Sequence, residues 1–226
     1  RVADLLGFEA AVFLPSGTMC NEIAIRVHVR AGGDALFLHR TAHVLRYEAG
    51  APAALSGAVL VALDGPRGMF DASTLEAAIA DHSVDRYSAR PRLVSIEQTT
   101  NLAGGRVWPL EQAREVLEVA GRHRMRAHLD GARLMNASVA SGVAPAEWCR
   151  GFDTAWIDFT KGLGAPFGAA LAVSRSLIEE VWRYKQMMGG AMRQAGMMAA
   201  GALYALDHHV DRLADDHANA QQLARG

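Results

Sequence analysis

Short apolar runs, each closed by a proline, a glycine or a polar pair, alternate along this chain with longer stretches whose apolar residues recur at helical spacing. Ala10-Ala11-Val12-Phe13-Leu14 predicts a strand stopped by Pro15, and Ser16-Gly17-Thr18 opens a helix to about Arg30 with Ile23 and Val27 on one face. Further strands are predicted at Ala35-Leu36-Phe37-Leu38, Ala58-Val59-Leu60-Val61, Leu93-Val94-Ser95-Ile96 and Ala127-His128-Leu129. A helix spans Asp71 to Asp81, with Asp71 as its N-cap, and a longer one begins at Pro109, where Leu110, Ala113, Val116, Leu117 and Ala120 fall on one face. Trp156-Ile157 and Ala169-Ala170-Leu171-Ala172-Val173 read as a hairpin-like pair around a glycine-rich turn, and from Ser176 onward the pattern is helical with a break near Gly189-Gly190.

Strands alternating with crossover helices predict an α/β fold: three layers, α/β/α, around a mostly parallel sheet. Residues 1–175 are expected to form the core of this large domain. Residues 176–226 are expected to complete it with helices that lead toward a further C-terminal lobe. The chain opens without Met inside one helical pattern and closes inside another, so a piece of a longer protein lacking both ends is the expectation. Its 226 residues, half of them hydrophobic, suffice for one sizeable core. A net charge of −1 gives no reason to expect nucleic acid or an anionic membrane as a partner, and no apolar run reaches membrane-spanning length. Cys20 and Cys149 lie far apart without metal-type neighbours, and no histidine has zinc-ligand spacing; reduced thiols in a cytoplasmic protein without a structural metal are expected.

Ligands of such sheets bind beyond the carboxyl ends of the strands, and the polar residues gather there. Lys161, in Thr160-Lys161-Gly162-Leu163-Gly164, follows one apolar strand; Asp130, in Asp130-Gly131-Ala132-Arg133, follows another. A lysine amine that reaches a carbonyl, with an aspartate that holds a pyridine nitrogen protonated, is what pyridoxal phosphate requires. Each residue also has a plainer reading: Lys161 as a solvated turn residue, Asp130 as a helix N-cap or the partner of Arg133. Ser16-Gly17-Thr18, at a helix N-terminus, suits either a phosphate or simple capping by Ser16. His43 is placed to stack on a flat ring or to carry a proton, or it is an ordinary hydrogen-bonded histidine. The cluster Glu97-Gln98-Thr99-Thr100-Asn101 is placed to order a substrate or to cap a loop, and Lys185 and Arg193 to contact phosphate or a subunit, or to face solvent.

Together these segments resemble the L-threonine aldolase family, the aldolase branch of the β-eliminating lyase group, with the fold type I architecture of the aspartate aminotransferase superfamily. The matching stretches are Phe13-Leu14-Pro15-Ser16-Gly17-Thr18-Met19-Cys20-Asn21, Ala42-His43 with Tyr47-Glu48-Ala49-Gly50, Leu129-Asp130-Gly131-Ala132-Arg133, Thr160 to Pro166, and Gly189 to Gly196, in the family's order. The resemblance implies pyridoxal 5'-phosphate as cofactor, Lys161 as its Schiff-base residue and Asp130 on the pyridine nitrogen. Arg133 would reach the phenolate oxygen, Ser16, Gly17 and Thr18 the phosphate, with Thr160 beside the lysine. His43 would stack on the ring near the substrate hydroxyl, and Glu48 would be a second acid–base group. Thr100, Lys185 and Arg193 are the further substrate-contact candidates. The implied reaction is aldol cleavage of L-threonine, L-allo-threonine or a related β-hydroxy-α-amino acid to glycine and an aldehyde. Other β-elimination or transamination on the same cofactor is the alternative, as is a truncated, non-catalytic piece. A homodimer or homotetramer with the site at the subunit interface is implied. Family members often carry His where this chain has Thr100; threonine does not titrate near neutral pH, which shifts acid–base work to His43. The family's N-terminal arm and its C-terminal lobe, which supplies an arginine for the substrate carboxylate, are absent from these residues.

Overall fold

A computed structural model describes residues 1–82 and 85–226. Seven strands form one sheet: β1 (Ala10–Leu14), β2 (Asp34–His39), β3 (Val59–Leu63), β4 (Arg90–Glu97), β5 (Arg126–Gly131), β6 (Thr154–Asp158) and β7 (Ala169–Val173), in spatial order β1-β7-β6-β5-β4-β2-β3. All neighbours run parallel except β7, which is antiparallel to both β1 and β6. The carboxyl ends of β1 to β6 therefore lie on one edge, which is what gathers residues distant in sequence. The predicted mostly parallel sheet and the antiparallel pair around the Lys161 turn are both present.

The helices are α1 (Val2–Leu6), α2 (Gly17–His28), α3 (His43–Arg46), α4 (Ala51–Ser56), α5 (Ala72–His82), α6 (Leu110–Arg122), α7 (Leu134–Ser141), α8 (Pro145–Cys149), α9 (Ile178–Met187), α10 (Gly196–His208) and α11 (Leu213–Arg225). Among the described residues none is long and apolar enough to cross a membrane. α2 stops before the expected Arg30 because Val29 is already extended. Asp71 caps α5 as expected, its Oδ1 accepting from the Thr74 N–H at 2.8 Å.

Strand alternation divides the core. Phe37, Val94, Ile96, Leu129, Ile157 and Ala170 pack on one face with residues of α5, α6, α7 and α10. Leu36, Leu38 and Leu93, then Trp156, Leu171 and Val173, pack on the other, around α2. A sheet covered on both faces is expected to bury apolar side chains throughout. The stretch beneath α2 does not. There Ser95 and Glu97 of β4, His128 and Asp130 of β5, and Thr154 and Asp158 of β6 are all buried and polar. α2 answers with Asn21, Glu22 and His28, also buried. Unpaired polar groups in such a place cost several kcal/mol, on the order of 2–7. Much of that stripe is hydrogen-bonded within itself, Asn21 to Asp130 and His128 to Thr154 among the pairs, and it leads up to the carboxyl ends of the strands.

Candidate active site

A cavity of about 440 Å³ opens at those carboxyl ends. Of the residues singled out from the sequence, Ser16, Gly17, Thr18, His43, Glu48, Asp130, Arg133, Thr160 and Lys161 line it, as do Glu97 and Asn101 of the polar cluster after β4, joined by Trp156 and Asp158. The loop after β1 brings the N-terminus of α2; the end of β2 brings His43; β5 brings Asp130; the turn after β6 brings Lys161.

Each wall has a local cause. Ser16 is extended and its Oγ accepts from the Met19 N–H at 3.2 Å, so it is the N-cap of α2; its own O–H proton is not spent in that bond. Gly17 has no room for a side chain, since a Cβ there would stand 2.2 Å from the Trp156 ring. The backbone thus lies directly on the indole, and the first free N–H groups of α2 face the cavity edge. Lys161 is held by the Asp158 carboxylate at 2.5 Å, while the other Asp158 oxygen accepts from the N–H and hydroxyl of Thr160, both at 2.7 Å. Asp130 is not an N-cap: α7 starts at Leu134 with Arg133 in the cap position. Nor does Asp130 pair with Arg133, whose guanidinium donates to Asn101 Oδ1 at 3.0 Å. Instead it accepts from the Ala132 N–H at 3.1 Å and from Asn21 Nδ2 at 2.9 Å. Burial pushes the Asp130 carboxyl up; the Asn21 and Ala132 hydrogen bonds and the Lys161 charge oppose that.

His43 begins the short helix α3, and its Nδ1 lies 3.0 Å from Glu48 Oε1. Because Glu48 also accepts from Asn21 at 2.8 Å, its oxygen acts as acceptor and His43 as the N–H donor, so in the neutral ring the lone pair is on Nε2. Glu22 lies against Glu48 with no donor of its own among the described residues. Burial, then the Glu48 charge, pushes Glu22 up to about 8; burial, then the Asp130 charge, does the same to Glu97. Both acids are therefore largely protonated near neutral pH. In the unfolded chain they ionise near the ordinary value of about 4.3, so the folded state binds the extra protons and gains stability that is complete below that value. The gain is lost as pH rises toward 8. We expect cofactor-free protein to melt at a lower temperature at about pH 9 than at about pH 6, and Glu22→Gln to flatten that slope with a gain on the order of 2 kcal/mol at the alkaline end. Thermal melts across pH decide it; a Glu22→Gln protein with the parental slope contradicts the assignment.

Three expected contacts are placed elsewhere. Thr100 is fully buried with its hydroxyl facing Arg106, which donates to it through its backbone N–H at 3.2 Å. Lys185 is buried on α9 with its ammonium 4.1 Å from the Trp182 ring centre, and Arg193 is exposed between α9 and α10. None of these lines the cavity. Sequence reasoning assigned no role to Asn21, Glu22 or Asp158; the available signal was polar residues at strand positions that should be apolar, and an Asn-Glu pair beside the apolar face of α2.

The family model of the beta-eliminating lyases matches residues 1–226. The chain belongs to the beta-eliminating lyase family. Low-specificity L-threonine aldolase 1 of Arabidopsis thaliana is 37% identical over 227 residues, covering 100% of this chain and 63% of that protein. The low specificity L-threonine aldolase of Escherichia coli K12 is 37% identical over 226 residues, covering 98% of this chain and 65% of that protein. The solved threonine aldolase structure of Leishmania major superposes with a TM-score of 0.83 at 24% identity, covering 93% of this chain and 62% of that one. This beta-eliminating lyase chain thus spans under two thirds of the length of these relatives. The resemblance drawn from the motifs and the three-layer fold are both borne out.

Proposed function

We propose that this chain carries the cofactor site of a pyridoxal-phosphate-dependent aldehyde-lyase, which cleaves L-threonine, L-allo-threonine or a related β-hydroxy-α-amino acid to glycine and an aldehyde. The observation that carries the reading is the meeting of Lys161, Asp130 and the N-terminus of α2 in one cavity. The names of the relatives from Arabidopsis thaliana and Escherichia coli support the reaction class.

The residues suit that cofactor on grounds of their own. Among the described residues, Asp130 is a buried carboxylate without a cationic partner inside hydrogen-bond range, since Lys161 is committed to Asp158 and Arg133 to Asn101. A protonated pyridine nitrogen would satisfy it. Gly17, pressed on Trp156, leaves backbone N–H groups and the positive end of a helix for a phosphate. Ser16 and Thr18 add hydroxyls, and Arg133 is at hand for the ring oxygen.

Pyridoxal phosphate, when bound, supplies an electron sink for the carbon next to the substrate amine. The chain does the rest. Lys161 would hold the cofactor through its amine, at the cofactor's carbonyl carbon. Asp130 would hold a proton on the ring nitrogen. His43, aimed by Glu48 through Nδ1, offers Nε2 to the substrate β-hydroxyl and removes its proton. Glu48 in turn is fixed by Asn21. We also propose a homodimer or homotetramer in the cytoplasm; exposed Trp182, Met187, Met197, Leu203 and Tyr204 on α9 and α10 support self-association, and buried thiols at Cys20 and Cys149 suit a reducing compartment. The test is to load the full-length protein with pyridoxal phosphate, add L-threonine or L-allo-threonine, and measure acetaldehyde and glycine. Release of ammonia or a keto acid without aldehyde overturns the reaction; no uptake of the cofactor overturns the site.

A further inference from the structure

Asn21 uses every hydrogen-bonding atom of its side chain in a place closed to water. Its Oδ1 accepts from Trp156 Nε1 at 2.7 Å and lies 3.0 Å from His128 Nε2; its Nδ2 donates to Asp130 Oδ2 at 2.9 Å and Glu48 Oε1 at 2.8 Å. The amide cannot be turned over. An indole N–H only donates, so the oxygen must face Trp156, and the two N–H bonds must face the two carboxylates.

That choice propagates. His128 must donate through Nε2, so Nδ1 carries a lone pair, and the Thr154 hydroxyl 2.8 Å away must donate to it. With its proton so used, Thr154 Oγ1 can only accept from His28 Nε2, at 3.2 Å. Burial pushes His28 down to about 4 and His128 down to about 3, so both rings are neutral, as this arrangement needs. The donors therefore run one way: His28 to Thr154, to His128, to Asn21, to Asp130. Every member is buried, and the line crosses the sheet from the amino ends of the strands, where His28 lines a second cavity of about 770 Å³, to the carboxyl ends.

We infer that Asn21 is a positioning residue for Asp130, fixing the orientation of its carboxylate toward the cofactor nitrogen as the last donor of a one-way buried chain from His28. The inference rests on the cofactor reading above. Aligned donors polarise one another, so the Asn21 N–H reaches Asp130 with more positive character than an isolated amide would. The titratable groups facing Asp130 are Lys161, His43, Glu48, Glu97 and Cys20. Asn21 alone among its contacts is neutral, side-chain borne and locked from behind.

The test uses full-length protein and pyridoxal phosphate, with two readouts from absorbance: the dissociation constant of the cofactor, and the pH at which its visible band changes. A ring nitrogen less firmly protonated withdraws fewer electrons, so the proton at the lysine-bound end is held to higher pH. Asn21→Ala is expected to weaken cofactor binding roughly tenfold and to move the band change to higher pH. Thr154→Val, equal in shape and outside the cavity, is expected to move it the same way by less, and Thr154→Ser to restore the parental value. An Asn21→Ala protein that melts earlier but keeps the parental band pH and dissociation constant overturns the assignment. A Thr154→Val protein with the parental band pH overturns the relay from His28. An unsubstituted protein that takes up no cofactor overturns the cofactor reading instead.

Discussion

Replacing Lys161 with alanine is expected to abolish the visible absorbance of lysine-bound pyridoxal phosphate and to cut aldehyde release by at least about a thousandfold. Among the described residues no other lysine lines the cavity. Lys185 lies on α9 with its ammonium against Trp182. The substitution also breaks the Lys161–Asp158 pair. Asp158 keeps the Thr160 N–H and hydroxyl on one oxygen, so the loss of stability should stay at about 1–3 kcal/mol. Lys161→Arg separates the two roles. A guanidinium can hold Asp158 but does not deprotonate, so it should recover stability without recovering absorbance or turnover. Absorbance titration, product assay and thermal melts of the two variants are the measurements. An arginine variant that turns over at the parental rate would mean that Lys161 is only a structural partner of Asp158.

What the sequence disclosed, and what it withheld, follows from range. Apolar runs are local, so the strands and the turns that end them were legible, and with them Gly17, His43, Asp130 and Lys161 at strand ends. The meaning of Asp130 was not local. Whether it capped a helix or met Arg133 depended on where α7 begins, and it begins three residues further on than capping by Asp130 requires. Asn21 and Glu22 are given no role by sequence reasoning. They turn inward because the strands beneath are polar, and the Asn21 partners Asp130, His128 and Trp156 lie 107 to 135 residues away in sequence. Thr100 erred in the other direction. It follows a strand that reaches the cavity, yet the chain has already turned, and its backbone and hydroxyl pair with Arg106. The short helices α3, α4 and α8 have too few turns to show a period.

The second large effect is expected at Gly131, where alanine should cost at least about 3 kcal/mol of stability. A Cβ at this position would stand 2.0 Å from the carbonyl oxygen of Trp156 and 3.2 Å from the Leu134 Cβ. That oxygen belongs to the neighbouring strand: β5 and β6 pair here, with Asp130 opposite Trp156 and Gly131 opposite Ile157. A clash with a flexible side-chain tip is relieved by a rotamer change, but a clash with a central strand's backbone is relieved only by parting the strands. Parting them moves Asp130 relative to Asn21 and shifts Trp156, on which both Asn21 and Gly17 rest. Protein that still folds should therefore bind pyridoxal phosphate less tightly, even though the methyl group touches nothing in the cavity wall but Trp156. Gly121 provides the control. It lies in α6 with nothing within 4 Å of where a Cβ would be, so the same substitution there should stabilise by roughly 0.5–1 kcal/mol through helix propensity. Chemical denaturation of both variants gives the comparison. Equal and small effects at the two positions would show that the β5–β6 contact is looser than drawn, and that Asp130 is not aimed by the packing of these strands.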